Sequence, residues 1–214
     1  MLPGHENVVS MTTLSHQATQ QLMPSFSALP HTQHADGKYR LRRYSVVAFR
    51  NNQIEDIGQH DFVQSDEFNH FQGNVMRHFE PIDSAVLQSD GMAELCALFA
   101  EANALPDGAK IEIHQMRVVA IYDETQVAPE GIHQDGFDHI AMTSISRHNI
   151  VGGEIMLYDD NHSMPFFRRI LADGETVLLA DNRLWHNATP ITAVAPGEEG
   201  HLDLFVLTAR REQA

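Results

Sequence analysis

The chain has 214 residues, 43% of them hydrophobic and 20% charged, enough to bury the core of one domain. Its 29 acidic side chains outnumber 14 Lys and Arg, and the resulting formal charge of −15 repels phosphate backbones and anionic lipid surfaces. No basic run exceeds Arg42-Arg43, Arg168-Arg169 or Arg210-Arg211, so neither nucleic acid nor a membrane is expected as a partner.

Residues 1–37 form a polar arm rich in His, Gln, Thr and Ser, equally compatible with a loose tail and with a wrap around the core. The N-terminus lacks a basic start followed by an apolar stretch, and a cytoplasmic location is expected. Lys38–Phe49 reads as a strand, Asn51-Asn52 as a turn, and Gln53–Ile57 as the returning hairpin partner. Pro81–Asn103 carries Ile82, Ala85, Val86, Met92, Leu95, Leu98 and Phe99 at helical spacing, with Asp90-Gly91 as a candidate break. Cys96, the single cysteine, lies in this apolar stretch and is expected to be a buried, inert thiol; a reducing compartment fits it.

After Pro106-Asp107-Gly108 the pattern changes to strands: Lys110–Tyr122, Asp138–Arg147, Gly153–Tyr158, Glu175–Ala180, Leu184–Ile191 and Leu202–Ala209. Short strands punctuated by Gly, Pro and Asp, with no long helix between them, predict a closed or sandwiched core over about residues 110–210. The earlier helices would pack on its outside, within a single domain of mostly β structure.

A facial triad for iron needs two imidazoles and one carboxylate, with the opposite face open. His-x-Asp supplies two of these, because residues two apart on an extended backbone point the same way. The pattern occurs at His34-Ala35-Asp36, His133-Gln134-Asp135 and His201-Leu202-Asp203, so context must choose. His34 lies in the polar arm without an apolar frame. His201-Leu202-Asp203 opens a strand whose apolar set is Leu202, Leu204 and Val206, which turns His201 and Asp203 towards the other, expectedly solvated, face. His133-Gln134-Asp135 follows Pro129-Glu130-Gly131-Ile132 at the mouth of the predicted barrel. Downstream, the strand Gly174–Ala180 ends in Asp181-Asn182, and His186 follows shortly before Thr189-Pro190, a place suited to a distal ligand. Taken alone, His186 reads more readily as a hydrogen-bonded core or surface histidine.

Together, the run Pro129–Gly136, the segment Arg147–Glu154 and the stretch from Leu178-Leu179-Ala180-Asp181 to His186–Ile191 resemble the 2-oxoglutarate and Fe(II)-dependent dioxygenases that hydroxylate free amino acids, the group that includes L-isoleucine dioxygenase. The resemblance covers roughly residues 110–210 and extends over the preceding helices. It implies a double-stranded β-helix, or jelly roll. It also implies Fe(II) held by His133, Asp135 and His186, 2-oxoglutarate as co-substrate, and hydroxylation of a free aliphatic L-amino acid, with no catalytic side chain beyond the metal ligands.

One position departs from the family pattern. Near the start of the last strand, family members carry an Arg-Asp pair whose Arg binds the distal carboxylate of 2-oxoglutarate; this chain has Leu202-Asp203. Arg117 is the first candidate to replace it, on a strand face with Ile111, Ile113, Val119 and Ile121 that reads as inward; an internal salt bridge suits it equally. Arg210 is the second, on the Leu202/Leu204/Val206/Thr208 face. Arg147, beside Gly152-Gly153, is a candidate for a substrate carboxylate. The missing Arg keeps two other classes open: a catalytically silent metal-binding or sensing protein, and a cupin-like metalloenzyme that does not use 2-oxoglutarate. Self-association is compatible with all three.

Overall fold

Strand β1 (Val9–Thr13), helix α1 (His16–Leu22) and a 3-10 turn over Met23–Ala28 open the computed structural model, which describes residues 8–58, 61–62 and 76–211. Strands β2 (Arg40–Arg50), β3 (Gln53–Asp56), β4 (Asp61–Phe62) and β5 (Arg77–His78) follow, then helices α2 (Ser84–Leu87) and α3 (Asp90–Ala102). The remaining strands are β6 (Ala109–Val119), β7 (His139–His148), β8 (Ile150–Gly152), β9 (Ile155–Tyr158), β10 (Phe167–Arg169), β11 (Glu175–Leu179), β12 (Trp185–Ala188), β13 (Ile191–Ala193) and β14 (His201–Ala209).

Local chemistry explains several boundaries. Asn51 and Asn52 both take positive φ (50° and 59°), the twist a tight hairpin between β2 and β3 requires, and Asn tolerates it better than most residues. The Ser15 side chain accepts from Ala18 N to cap α1, and Ser89 accepts from Met92 N to cap α3. The predicted break in the helical stretch falls at Gln88-Ser89, because Ser89 starts a new helix. β10 escaped the sequence pattern: it is three residues long, and two are exposed arginines.

Seven strands form one antiparallel sheet in the order β1-β11-β7-β14-β6-β2-β3. A smaller sheet, β10-β9-β12, faces it, and the loop segment around His133 extends that sheet's edge by a reciprocal pair of bonds to β12. The two layers make the sandwiched, mostly β core that the strand pattern predicts, in the jelly-roll form that the resemblance implies.

Both faces of the large sheet are covered, which is unusual for an antiparallel sheet with one face open to water. On one face, Ile111, Ile113, Phe205, Leu207 and Val47 pack under Leu14, Ala18, Leu22, Phe26, Leu95, Cys96 and Phe99 from the N-terminal segment and α3. Phe26 meets Phe205 edge-on at 5.0 Å between ring centres. The residues 8–37 of the arm thus wrap the core; residues 1–7 lie outside the described part. Cys96 is fully buried here, and burial pushes its thiol up to about 12.

The intervening residues point the other way, between the sheets. Register pairs Arg42 with Met116 and Met116 with Leu204; Tyr44 with His114 and His114 with Val206; Val46 with Glu112 and Glu112 with Thr208. This face walls the cavity. No helix among the described residues is long and apolar enough to cross a membrane.

Candidate metal centre

His133 and His186 face each other across the edge of the small sheet. Each backbone N–H donates to the other's carbonyl, at 2.9 Å and 2.8 Å, which holds the two Cα atoms side by side. Their rings sit 4.2 Å apart between centres. Asp135, two residues beyond His133, reaches both: Oδ1 is 3.6 Å from His133 Nε2 and Oδ2 is 3.3 Å from His186 Nε2. One ligand atom from each of the three lies within 4.8 Å of the others, the one such group among the described residues. The structure brings together all three residues named from sequence, and leaves His34 and His201 apart from them.

Each imidazole is oriented by its second nitrogen. His133 Nδ1 donates to the Gly131 carbonyl at 2.8 Å, which turns Nε2 towards Asp135. His186 Nδ1 lies 3.5 Å from Asp181 Oδ1. Asp181 is fully buried at the end of β11, and its carboxylate also accepts from the backbone N–H groups of Asp135, Gly136 and Phe137 at 2.8–3.1 Å. Gly136 takes φ +84°, and the turn it allows lets consecutive N–H groups converge on one carboxylate. Gln134, between the two ligands, points the other way and donates to the carbonyls of Asp181 and Leu184. Sequence reasoning saw Asp181 only as the end of a strand. Its spacing from His186 was a visible signal, but nothing in the sequence tied it to residues 135–137.

The charge state follows. Burial opposes ionisation of Asp135, yet hydrogen bonds from His133 and His186 outweigh it and hold the carboxyl well below its usual range. Burial likewise opposes charging of His186, but Asp135 and Asp181 overcome it and raise the imidazole to about 10. Two imidazoles and one carboxylate, each turned inward by a fixed partner, fit a divalent ion of the first transition row.

The cavity beside these groups encloses about 780 Å³, its mouth included. Phe62, Met116, Val127, Phe137, Met142, Leu204 and Val206 line it with apolar surface, and Arg40, Arg42, Arg77, Glu130 and His114 bring buried polar groups. Leu202, which stands where the sequence resemblance led one to expect an Arg, packs in an apolar cluster with Val118, Val127 and Ile191.

The expected cation anchors lie elsewhere. Arg117 is on the helix-facing side of β6, where its Nε and Nη2 donate to the two oxygens of Asp203 at 2.7 and 2.8 Å. Asp203 is therefore not solvated, as the strand pattern suggested, but fully buried. Ile111 and Ile113 led the sequence reading to the wrong face, because the helices make the outward side of β6 as apolar as the inward one. Arg210 does approach the metal-binding turn, but its Nη1 donates to the Gly136 carbonyl at 2.7 Å and its guanidinium covers the Phe137 ring. Arg147 donates to the Gly152 carbonyl at 2.7 Å. None of the three lines the cavity.

A family model described as 2OG-Fe dioxygenase matches residues 23–208. The chain is similar to a crystal structure of a bsmA homolog from Methylobium petroleophilum PM1, at 29% identity and a TM-score of 0.77, over 92% of this chain and 83% of that one. It is similar in fold to IDO from Bacillus thuringiensis (16% identity, TM-score 0.72, 97% of this chain and 91% of that one). The same holds for the Fe(II)/(alpha)ketoglutarate-dependent dioxygenase TqaL (15% identity, TM-score 0.68, 96% and 83%). No curated protein matches the chain at a significant level.

Proposed function

Because the chain belongs to the 2OG-Fe dioxygenase family, an enzyme family that uses Fe(II) and 2-oxoglutarate, we propose that it hydroxylates a free aliphatic L-amino acid at a centre held by His133, Asp135 and His186. The observation that carries the metal assignment is the convergence of His133 Nε2, His186 Nε2 and the Asp135 carboxylate, with His133 Nδ1 held by the Gly131 carbonyl and His186 Nδ1 turned towards Asp181 at 3.5 Å. When bound, Fe(II) and 2-oxoglutarate supply the oxidising power for an unactivated C–H bond. The chain's own residues orient and exclude water. Met116, Met142, Leu204 and Val206 offer an aliphatic side chain a dry wall, and Phe62 and Phe137 add aromatic surface to the lining.

The sequence resemblance of residues Pro129–Gly136, Arg147–Glu154 and His186–Ile191 to free-amino-acid hydroxylases supports the substrate class. A cytoplasmic location is proposed with it, supported by the lone buried thiol. The test is incubation with Fe(II), ascorbate and 2-oxoglutarate against each of the twenty amino acids. Succinate and a product heavier by one oxygen atom should appear together with an aliphatic amino acid. Succinate that accumulates equally with every amino acid, and no oxygenated product, would refute the substrate assignment while leaving the family chemistry intact.

A further inference from the structure

Of the large-sheet residues that line the cavity, three have a buried polar atom with no hydrogen-bond partner among the described residues: Arg42 Nε on β2, His114 Nδ1 on β6 and Thr208 Oγ1 on β14. They are 5%, 8% and 2% exposed, and all three line the cavity. Their register forms a diagonal. Arg42 lies one cross-strand row from His114, and His114 one row from Thr208, on three neighbouring strands. Each diagonal step on one face spans roughly 7–8 Å, so Arg42 and Thr208 stand two such steps apart with His114 between them, a span that an arginine side chain and a ligand carboxylate fill together.

A buried, unpaired donor costs free energy, so three of them facing one cavity call for a ligand. The cation is the informative member. Among the described residues Arg42 has a single carboxylate contact, Asp36 Oδ2 at 3.3 Å, and that oxygen is held more tightly by Arg40 at 2.6 Å. Arg40 is committed elsewhere too: its Nη1 is 3.5 Å from Glu130 and its Nε donates to Met116 Sδ. Burial and the neighbouring Arg40 drag the Arg42 guanidinium down to about 9, the mark of a cation without a full counter-charge. Tyr44 and Phe62 pack against the His114 ring at 4.7 Å and fix its plane, and burial keeps it neutral, so it hydrogen-bonds rather than repels.

We infer that Arg42, His114 and Thr208 form a carboxylate-receiving corner across the cavity from the metal-binding residues. Arg42 supplies the charge through a two-pronged contact, and Thr208 and His114 supply hydrogen bonds. Two ligands bring a carboxylate into the cavity: the co-substrate through its distal end, and an amino acid through its α-carboxylate. The inference rests on the dioxygenase reading above, and loss of metal binding by the wild-type protein would refute that reading separately.

The experiment is an anaerobic titration of the Fe(II)-loaded protein, followed by the charge-transfer band of the chelated 2-oxo acid. The probes are 2-oxoglutarate and 2-oxopentanoate, which chelates alike but lacks the distal carboxylate. Each amino acid that shifts the band in the wild type serves as the third probe. For Arg42→Gln, a rise of roughly thirty-fold or more in the 2-oxoglutarate dissociation constant, with 2-oxopentanoate unchanged, supports the corner and identifies the co-substrate as its occupant. Unchanged 2-oxoglutarate affinity with the same loss in the amino-acid response supports it and identifies the substrate. Arg42→Lys should recover part of the loss. Thr208→Val, which keeps shape and removes only the hydroxyl, should weaken the same probe by a smaller factor. If Arg42→Gln and Thr208→Val bind every probe as the wild type does, the inference is overturned. It is equally overturned if 2-oxopentanoate weakens alongside 2-oxoglutarate. Where no amino acid shifts the wild-type band, the 2-oxoglutarate titration decides alone.

Discussion

Asp135 is the residue on which both imidazoles converge, and its loss should be felt by the metal before it is felt by the fold. Asp135→Ala is expected to abolish stoichiometric Fe(II) binding in anaerobic calorimetry while circular dichroism stays unchanged; His34→Ala should leave the metal untouched, since His34 lies against the His78 carbonyl and the Phe79 ring, apart from the triad. Asp181 acts one step further out. Because its carboxylate collects three backbone N–H groups and faces His186 Nδ1, Asp181→Asn should weaken metal binding about 10- to 100-fold, the usual effect of removing a group that orients a ligand. Protons compete for the same nitrogen. His186 is raised from 6.5 to about 10 in the metal-free protein, so at neutral pH its proton must leave before it ligates. Calorimetry in buffers of different ionisation enthalpy should show about one proton released per ion, and affinity should climb as pH rises towards 10. The stability of the metal-free protein runs the other way: the raised pKa contributes fully below 6.5 and is lost as pH rises through about 10. Residue by residue, the candidate ligands that the structure brings together were legible because they combine a short motif with a family context. Arg42 was not. In the sequence it is half of a basic pair, and only the register of three strands shows it facing inward with His114 and Thr208.

At the level of elements, the strands from β6 onward were readable from alternation and punctuation, but the direction of each face was not. Alternation identifies an inside only when the other side is wet. Here α1 and α3 make the second side of β6 and β14 apolar as well, so Arg117 appeared to point at the cavity when it points at Asp203. Arg117→Met should therefore leave the 2-oxoglutarate titration unchanged and cost stability, because it strands a buried carboxylate. The loss, read from denaturant midpoints, should fall somewhat below the roughly 3–5 kcal/mol of a fully enclosed pair, since water reaches the edge of Arg117. Phe205→Ala removes the ring against which Phe26 packs, and should cost about 3–5 kcal/mol without altering metal affinity. An equal loss of metal binding in that variant would contradict the separation of the two faces.

The whole molecule couples its metal to its stability, because the donors come from a loop and a strand some fifty residues apart that meet only in the folded state. Fe(II) at about a hundred times its dissociation constant should raise the unfolding free energy by roughly 2.7 kcal/mol, and Asp135→Ala should erase that increment. The large sheet is one wall shared by two interiors, and in three of its strands the sharing obeys arithmetic. On β2, β6 and β14, even numbers such as Arg42, Tyr44, His114, Met116, Leu204, Val206 and Thr208 face the cavity, and odd ones such as Val47, Ile111, Ile113, Phe205 and Leu207 face the helices. A systematic mutational scan along any of these strands should read as a comb, with selectivity and affinity changing on one set of teeth and thermal resistance on the other. Directed evolution of new substrates could then draw on the even teeth, and hardening of the scaffold on the odd ones, with little interference between them.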